Sequence, residues 1–183
     1  MKVVLASNNA KKIAEISQIL APFSIDLLPQ AQLNIPESPE PYATFIENAL
    51  VKARHASRLS GLPALADDSG LCVHALGGAP GVYSARFAGD PKSDERNNAA
   101  LLDAMATHTD KRAYYYCILV LVRHADDPQP LIADGLWHGE ILSSPQGNGG
   151  FGYDPLFWLD AQQCTAAQLS ATDKNRLSHR GQA

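Results

Sequence analysis

An α/β fold on a mixed sheet is what this sequence predicts, and three features predict it. Residues 2–6 form a short apolar run that passes at once into a helical pattern, with Ile13, Ile16 and Leu20 at spacings of three and four. Residues 113–123 and 131–141 are long extended runs joined by Asp126-Asp127-Pro128, which read as an antiparallel pair. The first is nearly continuously apolar, as a central strand is. The 183 residues contain no internal repeat, composition shift or long linker, so residues 1–183 read as a single domain, bilobed around a cleft.

The elements follow in order. Residues 2–6 make a buried strand and residues 10–20 a helix, with Ser7-Asn8-Asn9 at the junction. A second strand over 25–28 leads into a Pro-rich stretch over 36–41 that no regular element crosses, hence an exposed connection. Residues 42–59 carry Phe45, Ile46, Ala49, Leu50 and Ala53 on one side and Asn48, Lys52 and His55 on a polar face, the pattern of a long amphipathic helix. Residues 62–66 read as a strand halted by Asp67-Asp68-Ser69-Gly70, after which Leu71-Cys72-Val73 resumes an extended pattern. Gly77-Gly78-Ala79-Pro80-Gly81 is a break. Residues 93–107 have Asp94 and Glu95 in the first turn and Leu101, Leu102 and Met105 on one side, a third helix. Thr165-Ala166-Ala167-Gln168 has capping-box spacing and is read as opening the last helical turn.

Hydrophobic residues at 45% and charged residues at 19% exclude a disordered or collagen-like chain. The longest apolar run, residues 114–122, is far shorter than the roughly 20 residues of a membrane helix. Neither a membrane span nor a signal or transit segment is read, so a cytoplasmic location is expected. Cys72, Cys117 and Cys164 stand far apart with no C-x-x-C pair, so they read as reduced and structural. The six histidines form no HExxH-type pair, and any metal would be held by oxygen. A net charge of −4 weighs against a nucleic-acid polymer as partner, whereas a small anion needs only a local basic pocket.

Four segments can carry chemistry, each with a plain alternative. Ser7-Asn8-Asn9-Ala10-Lys11-Lys12 joins a strand end to a helix start, where free amides and the helix dipole favour an anion, or where Ser7 or Asn9 merely caps the helix. Asp67-Asp68, with Glu37, Glu40 and Glu47 upstream, suits a magnesium ion and a proton acceptor, or is ordinary turn chemistry. Phe151-Gly152-Tyr153-Asp154-Pro155 follows Gly147-Asn148-Gly149-Gly150, so backbone can approach a ligand and a ring can stack on a base, or these are core residues and their turn. Lys174-Asn175-Arg176-Leu177-Ser178-His179-Arg180 is a basic site or a solvated basic face.

Their joint occurrence in this order goes further. Ser-x-Asn-x-x-Lys at 7–12, T-F-x-E-N-A at 44–49, A-D-D-S-G-L at 66–71, G-G-A-P-G-V-Y-S-A-R-F at 77–87, G-G-F-G-Y-D-P at 149–155 and S-H-R-G at 178–181 form one string. Over essentially its whole length the sequence closely resembles the inosine triphosphate pyrophosphatase family. The resemblance implies a mixed, twisted central sheet flanked by helices, bilobed with a central cleft. It implies Mg²⁺-dependent hydrolysis between the α and β phosphates of inosine, deoxyinosine and xanthosine triphosphates, and a homodimer, for which the apolar 77–87 stretch suits an interface. By the same resemblance Ser7, Asn8, Asn9, Ala10, Lys11 and Lys12 cradle the triphosphate and Lys52 adds a second positive group. Glu40 and Asp68 bind Mg²⁺, with Asp68 the proton acceptor, Asp67 its support and Ser69 a substrate contact. Phe151 stacks on the purine, Gly152, Tyr153 and Asp154 shape the pocket, and Lys174, His179 and Arg180 read the base.

Lys12, Lys52 and Mg²⁺ would offset charge building on the leaving pyrophosphate. Donors at His179 or Arg180 facing the purine 6-position donate to a keto oxygen and oppose a 6-amino group, a discrimination that reaches about 10⁴ in such pockets. Guanine, also 6-keto, is left to pocket shape around the 2-position. Family members usually continue past S-H-R-G through a helix that covers the motif, so the ordering of His179 and Arg180 depends on other contacts wherever that cover is missing. Residues 159–164 also depart from the family's usual Pro, Gly and Lys loop, between motifs. Two alternatives remain: a Maf-like nucleotide pyrophosphatase, whose Ser-x-Ser-Pro-Arg-Arg character is absent at residues 7–12, and a nucleotide-binding module that does not hydrolyse.

Overall fold

The computed structural model describes residues 1–183. Seven strands are ordered β2-β1-β3-β4-β5-β6-β7: β1 (Lys2–Leu5), β2 (Asp26–Pro29), β3 (Ala64–Val73), β4 (Arg112–Val122), β5 (Leu131–Ile141), β6 (Phe157–Leu159) and β7 (Cys164–Thr165). β1 runs parallel to β2 and β3, while β6 is antiparallel to both β5 and β7, so the sheet is mixed as expected. The helices are α1 (Ala10–Leu20), α2 (Phe45–Ser60), α3 (Asp94–Met105), α4 (Ala171–Leu177) and α5 (His179–Gln182). None is long and apolar enough to cross a membrane.

The chain divides into two compact units. The first comprises Met1–Asp68, Cys117–Gly135 and Ala183; the second comprises Ser69–Tyr116 and Leu136–Gln182. In the first, Val3, Leu5 and Leu65 share one strand face by alternation, and Ile16 of α1 packs on them with Ile13 and Leu20, the three positions whose spacing predicts the helix. In the second, Leu71, Val73, Tyr115, Trp137 and Phe157 pack against Leu101 and Met105 of α3. Fully buried side chains such as Phe157 and Leu101 each contribute about 1.5–3 kcal/mol.

Two expectations need correction. Asp67-Asp68-Ser69-Gly70 does not halt a strand: β3 runs unbroken through it for ten residues. The composition suits a turn, but both carboxylates find cationic partners inside the unit, and with those the extended backbone tolerates their burial. Thr165 and Gln168 do form a capping box, yet it opens only the short 3₁₀ turn Ala166–Gln168, and α4 and α5 follow. A smaller shift affects α2, which starts at Phe45 because the Thr44 hydroxyl accepts the Glu47 amide at 3.3 Å, and Ile46 is exposed rather than on the buried side.

Candidate active site

Strand alternation sends the side chains of Asp67 and Asp68 to opposite faces of β3. Asp67 falls on the face of Leu65, where α1 packs, and Lys12 of α1 donates to its Oδ1. The buried Cys117 thiol of β4 donates to Asp67 Oδ2 at 3.2 Å. Asp68 falls on the face of Ala64 and Ala66, where Lys52 of α2 donates to its Oδ1 at 3.0 Å and to Glu40 Oε1 at 2.8 Å. One ammonium thus joins the two carboxylates expected to act together. Asp68 Oδ2 is buried and has no hydrogen-bond partner. Burial pushes the Asp68 carboxyl up from its ordinary value, and Lys52 and Lys12 only partly oppose this. Burial lowers Lys52, but Asp68, Glu40 and Asp67 outweigh it and hold the ammonium above its ordinary value.

Glu40 lies on the Pro-rich connection, and the polar face of α2 fastens that connection along its length. Asn48 accepts the Tyr42 amide and donates to the Tyr42 carbonyl, both at 3.1 Å, and His55 Nε2 lies 2.9 Å from the Pro36 carbonyl. Asn48, Lys52 and His55 are spaced four and three apart, so one helix face delivers all three contacts. Glu37 is exposed. Glu47 accepts the Thr44 hydroxyl at 2.5 Å and serves the helix cap. At the start of α1, Asn9 Oδ1 accepts the Lys11 and Lys12 amides and Ser7 Oγ accepts the Asn9 amide, so Asn9 is the helix cap. Asn8, Asn9, Ala10 and Lys11 are exposed at that end.

The second unit gathers the other candidates. Asp154 Oδ2 accepts the Phe151 amide at 2.8 Å and Lys174 Nζ at 2.6 Å, and the Lys174 ammonium lies 4.4 Å from the Phe151 ring centroid. Gly150, at φ +67°, has no room for a Cβ, which would overlap the Asp154 carboxylate. Removing one partner of a buried pair such as Lys174–Asp154 costs about 3–5 kcal/mol. The Gly152 amide donates to Asp94 Oδ2 and its carbonyl accepts Asn98 Nδ2, both at 2.8 Å. The Tyr153 hydroxyl donates to the Ser84 carbonyl at 2.7 Å, and burial together with Asp94 holds it well above the ordinary phenol value.

The basic segment is not a solvated face: Lys174, His179 and Arg180 are 6%, 5% and 2% exposed, and only Arg176 points outward. Arg180 Nη2 donates to Ser69 Oγ at 2.9 Å, and the His179 ring lies nearly parallel to Tyr115, 4.8 Å between centroids and 10° apart. These contacts order the S-H-R-G motif. Sequence reasoning gives Cys117 only as a structural thiol and Asp94 only as a first-turn acid, and passes over Tyr115 and Asn98. Their only signals are a small buried residue and an aromatic on an apolar strand, and a four-residue spacing on α3.

Comparison with known proteins identifies relatives over the whole chain. A dITP/XTP pyrophosphatase of Ralstonia nicotianae is 63% identical over 185 residues, covering 100% of this chain and 92% of that protein. One of Aromatoleum aromaticum is 65% identical over 182 residues with the same coverage. Among solved structures, a HAM1 protein from Coxiella burnetii superposes with a TM-score of 0.93 at 46% identity, covering 100% of this chain and 93% of that one. The Ham1 protein of Staphylococcus aureus gives 0.88 at 38% identity, covering 100% and 94%. Residues 3–183 match the Ham1 family profile, and the chain belongs to the Ham1 family.

Proposed function

We infer that the protein hydrolyses inosine, deoxyinosine and xanthosine triphosphates to the monophosphate and pyrophosphate. The relatives named dITP/XTP pyrophosphatase support the activity. The observation that carries the chemistry is Asp68, whose Oδ1 is committed to Lys52 while the buried Oδ2 has no partner. Oδ2 is the atom assigned to take the proton of the attacking water, and a carboxyl raised by burial is a stronger base than one in solvent. Asp67, locked between Lys12 and Cys117, supports the same stretch of β3.

Glu40 and Asp68 fit a magnesium ion, because both offer hard carboxylate oxygens and both are held together on the Lys52 ammonium. When bound, such an ion neutralises phosphate charge. Lys12 and Lys52 take the charge that grows on the leaving pyrophosphate. Phe151 offers its ring to the purine, with Lys174 and Asp154 fixing the segment beside it. His179 and Arg180, held by Tyr115 and Ser69, supply donors for the 6-keto oxygen.

The test is pyrophosphate release from inosine, xanthosine, adenosine, guanosine and thymidine triphosphates, with Mg²⁺ and with chelator. Strong Mg²⁺-dependent release from the first two alone is expected. Release chiefly from thymidine triphosphate overturns it in favour of Maf-like chemistry, and binding without release from any of them leaves a nucleotide-binding module.

A further inference from the structure

Gly152, in the segment 151–154, is hydrogen-bonded to α3 twice. The Gly152 amide donates to Asp94 Oδ2 at 2.8 Å, and the Gly152 carbonyl accepts from Asn98 Nδ2 at 2.8 Å. The same Asn98 nitrogen donates to the Asp94 carbonyl at 2.8 Å, so its two hydrogens join the first turn of α3 to the loop. Asp94 and Asn98 stand four residues apart, which places both side chains on one helix face. Gly152 has φ +62°, the left-handed region, and without these contacts it is a swivel directly behind Phe151.

We propose that Asp94 and Asn98 are positioning residues for base recognition, fixing through Gly152 the plane in which Phe151 meets the purine. This rests on the reading that 151–154 receives the base. Both residues act on the base-side segment through Gly152, so the pair sets how tightly and how selectively the base is held, and the hydrolytic step itself stays unchanged. An alternative role for Asp94 is charge alone at the α3 N-terminus, which Glu95 in the same turn shares.

KM and kcat for inosine triphosphate, and the ratio of kcat/KM for inosine over guanosine triphosphate, separate these roles in Asp94→Ala, Asp94→Asn, Asn98→Leu, Glu95→Gln and Phe151→Ala. Asp94→Ala and Asn98→Leu are expected to raise KM about tenfold with kcat within about twofold, and to lower the inosine preference. Asp94→Asn keeps an acceptor for the Gly152 amide and recovers most of the loss, and Glu95→Gln behaves as wild type. An equal fall in kcat on both substrates, a matching defect in Glu95→Gln, or wild-type KM in both clamp variants overturns the proposal. Should Asp94→Ala fail to fold, Asn98→Leu carries the same decision. Phe151→Ala with an unchanged KM removes the base reading and the clamp with it, whereas a defect there beside normal clamp variants removes the clamp alone.

Discussion

Asp67 and Asp68 sit in different fields although they are chain neighbours. Asp67 has both oxygens occupied, by Lys12 and by the Cys117 thiol, whereas Asp68 has one oxygen on Lys52 and one buried without a hydrogen bond. An oxygen kept dry and unpaired costs stability, and such costs are tolerated where chemistry uses the atom. Replacing Asp68 with Asn keeps the shape and an acceptor for Lys52 but removes the basic oxygen. Asp68→Asn is therefore expected to retain nucleotide binding by calorimetry while turnover falls by about 10²–10⁴, and near-normal turnover would take Asp68 out of the mechanism. The Asp-Asp pair was legible in the sequence as a candidate. Its partners were not assigned to it one by one, because Lys12 and Cys117 lie 55 and 50 positions away and only the packed sheet says which lysine meets which carboxylate.

Among the elements, the short α5 is held by close approach. A Cβ at Gly181 would overlap the Asn175 carbonyl of α4, and backbone there cannot yield as a flexible side chain would. Gly181→Ala must displace α5, and with it His179 from Tyr115 and Arg180 from Ser69. A stability loss of about 1–3 kcal/mol in chemical denaturation, together with a raised KM for inosine triphosphate, is expected. Wild-type values of both would mean that α5 is loosely seated. Elements with a strong period were readable: α1 and β5 fall on the predicted residues because their apolar spacing has no competing explanation. The misread segments are those where local composition and tertiary contact disagree. Acidic residues in β3 find lysines, basic residues in α4 and α5 are buried against Asp154, Tyr115 and Ser69, and Ile46 faces outward.

For the molecule as a whole, the response to acid has an identifiable source. Arg123 hydrogen bonds hold the buried Asp127 carboxyl well below the usual carboxylate range, and Arg112 does the same for Asp110 at the surface. A carboxyl depressed in the folded state contributes stability above the ordinary carboxylate pKa, and loses it as pH falls through the depressed value. Thermal melts of wild type are thus expected to decline as pH drops below about 4, where unfolded carboxyls begin to protonate. Asp127→Asn should melt lower at pH 7 and show a shallower acid decline, and an unchanged acid limb would place its origin elsewhere. The unbroken course of β3 has a further consequence. Because neighbouring side chains exchange faces with a one-residue slip, deleting one residue between Ala64 and Ala66 would bring Asp68 to Lys12, leave Ser69 at the position opposite Lys52 and turn the flanking apolar residues out of their cores. Along this tract heredity can edit letters but not their number.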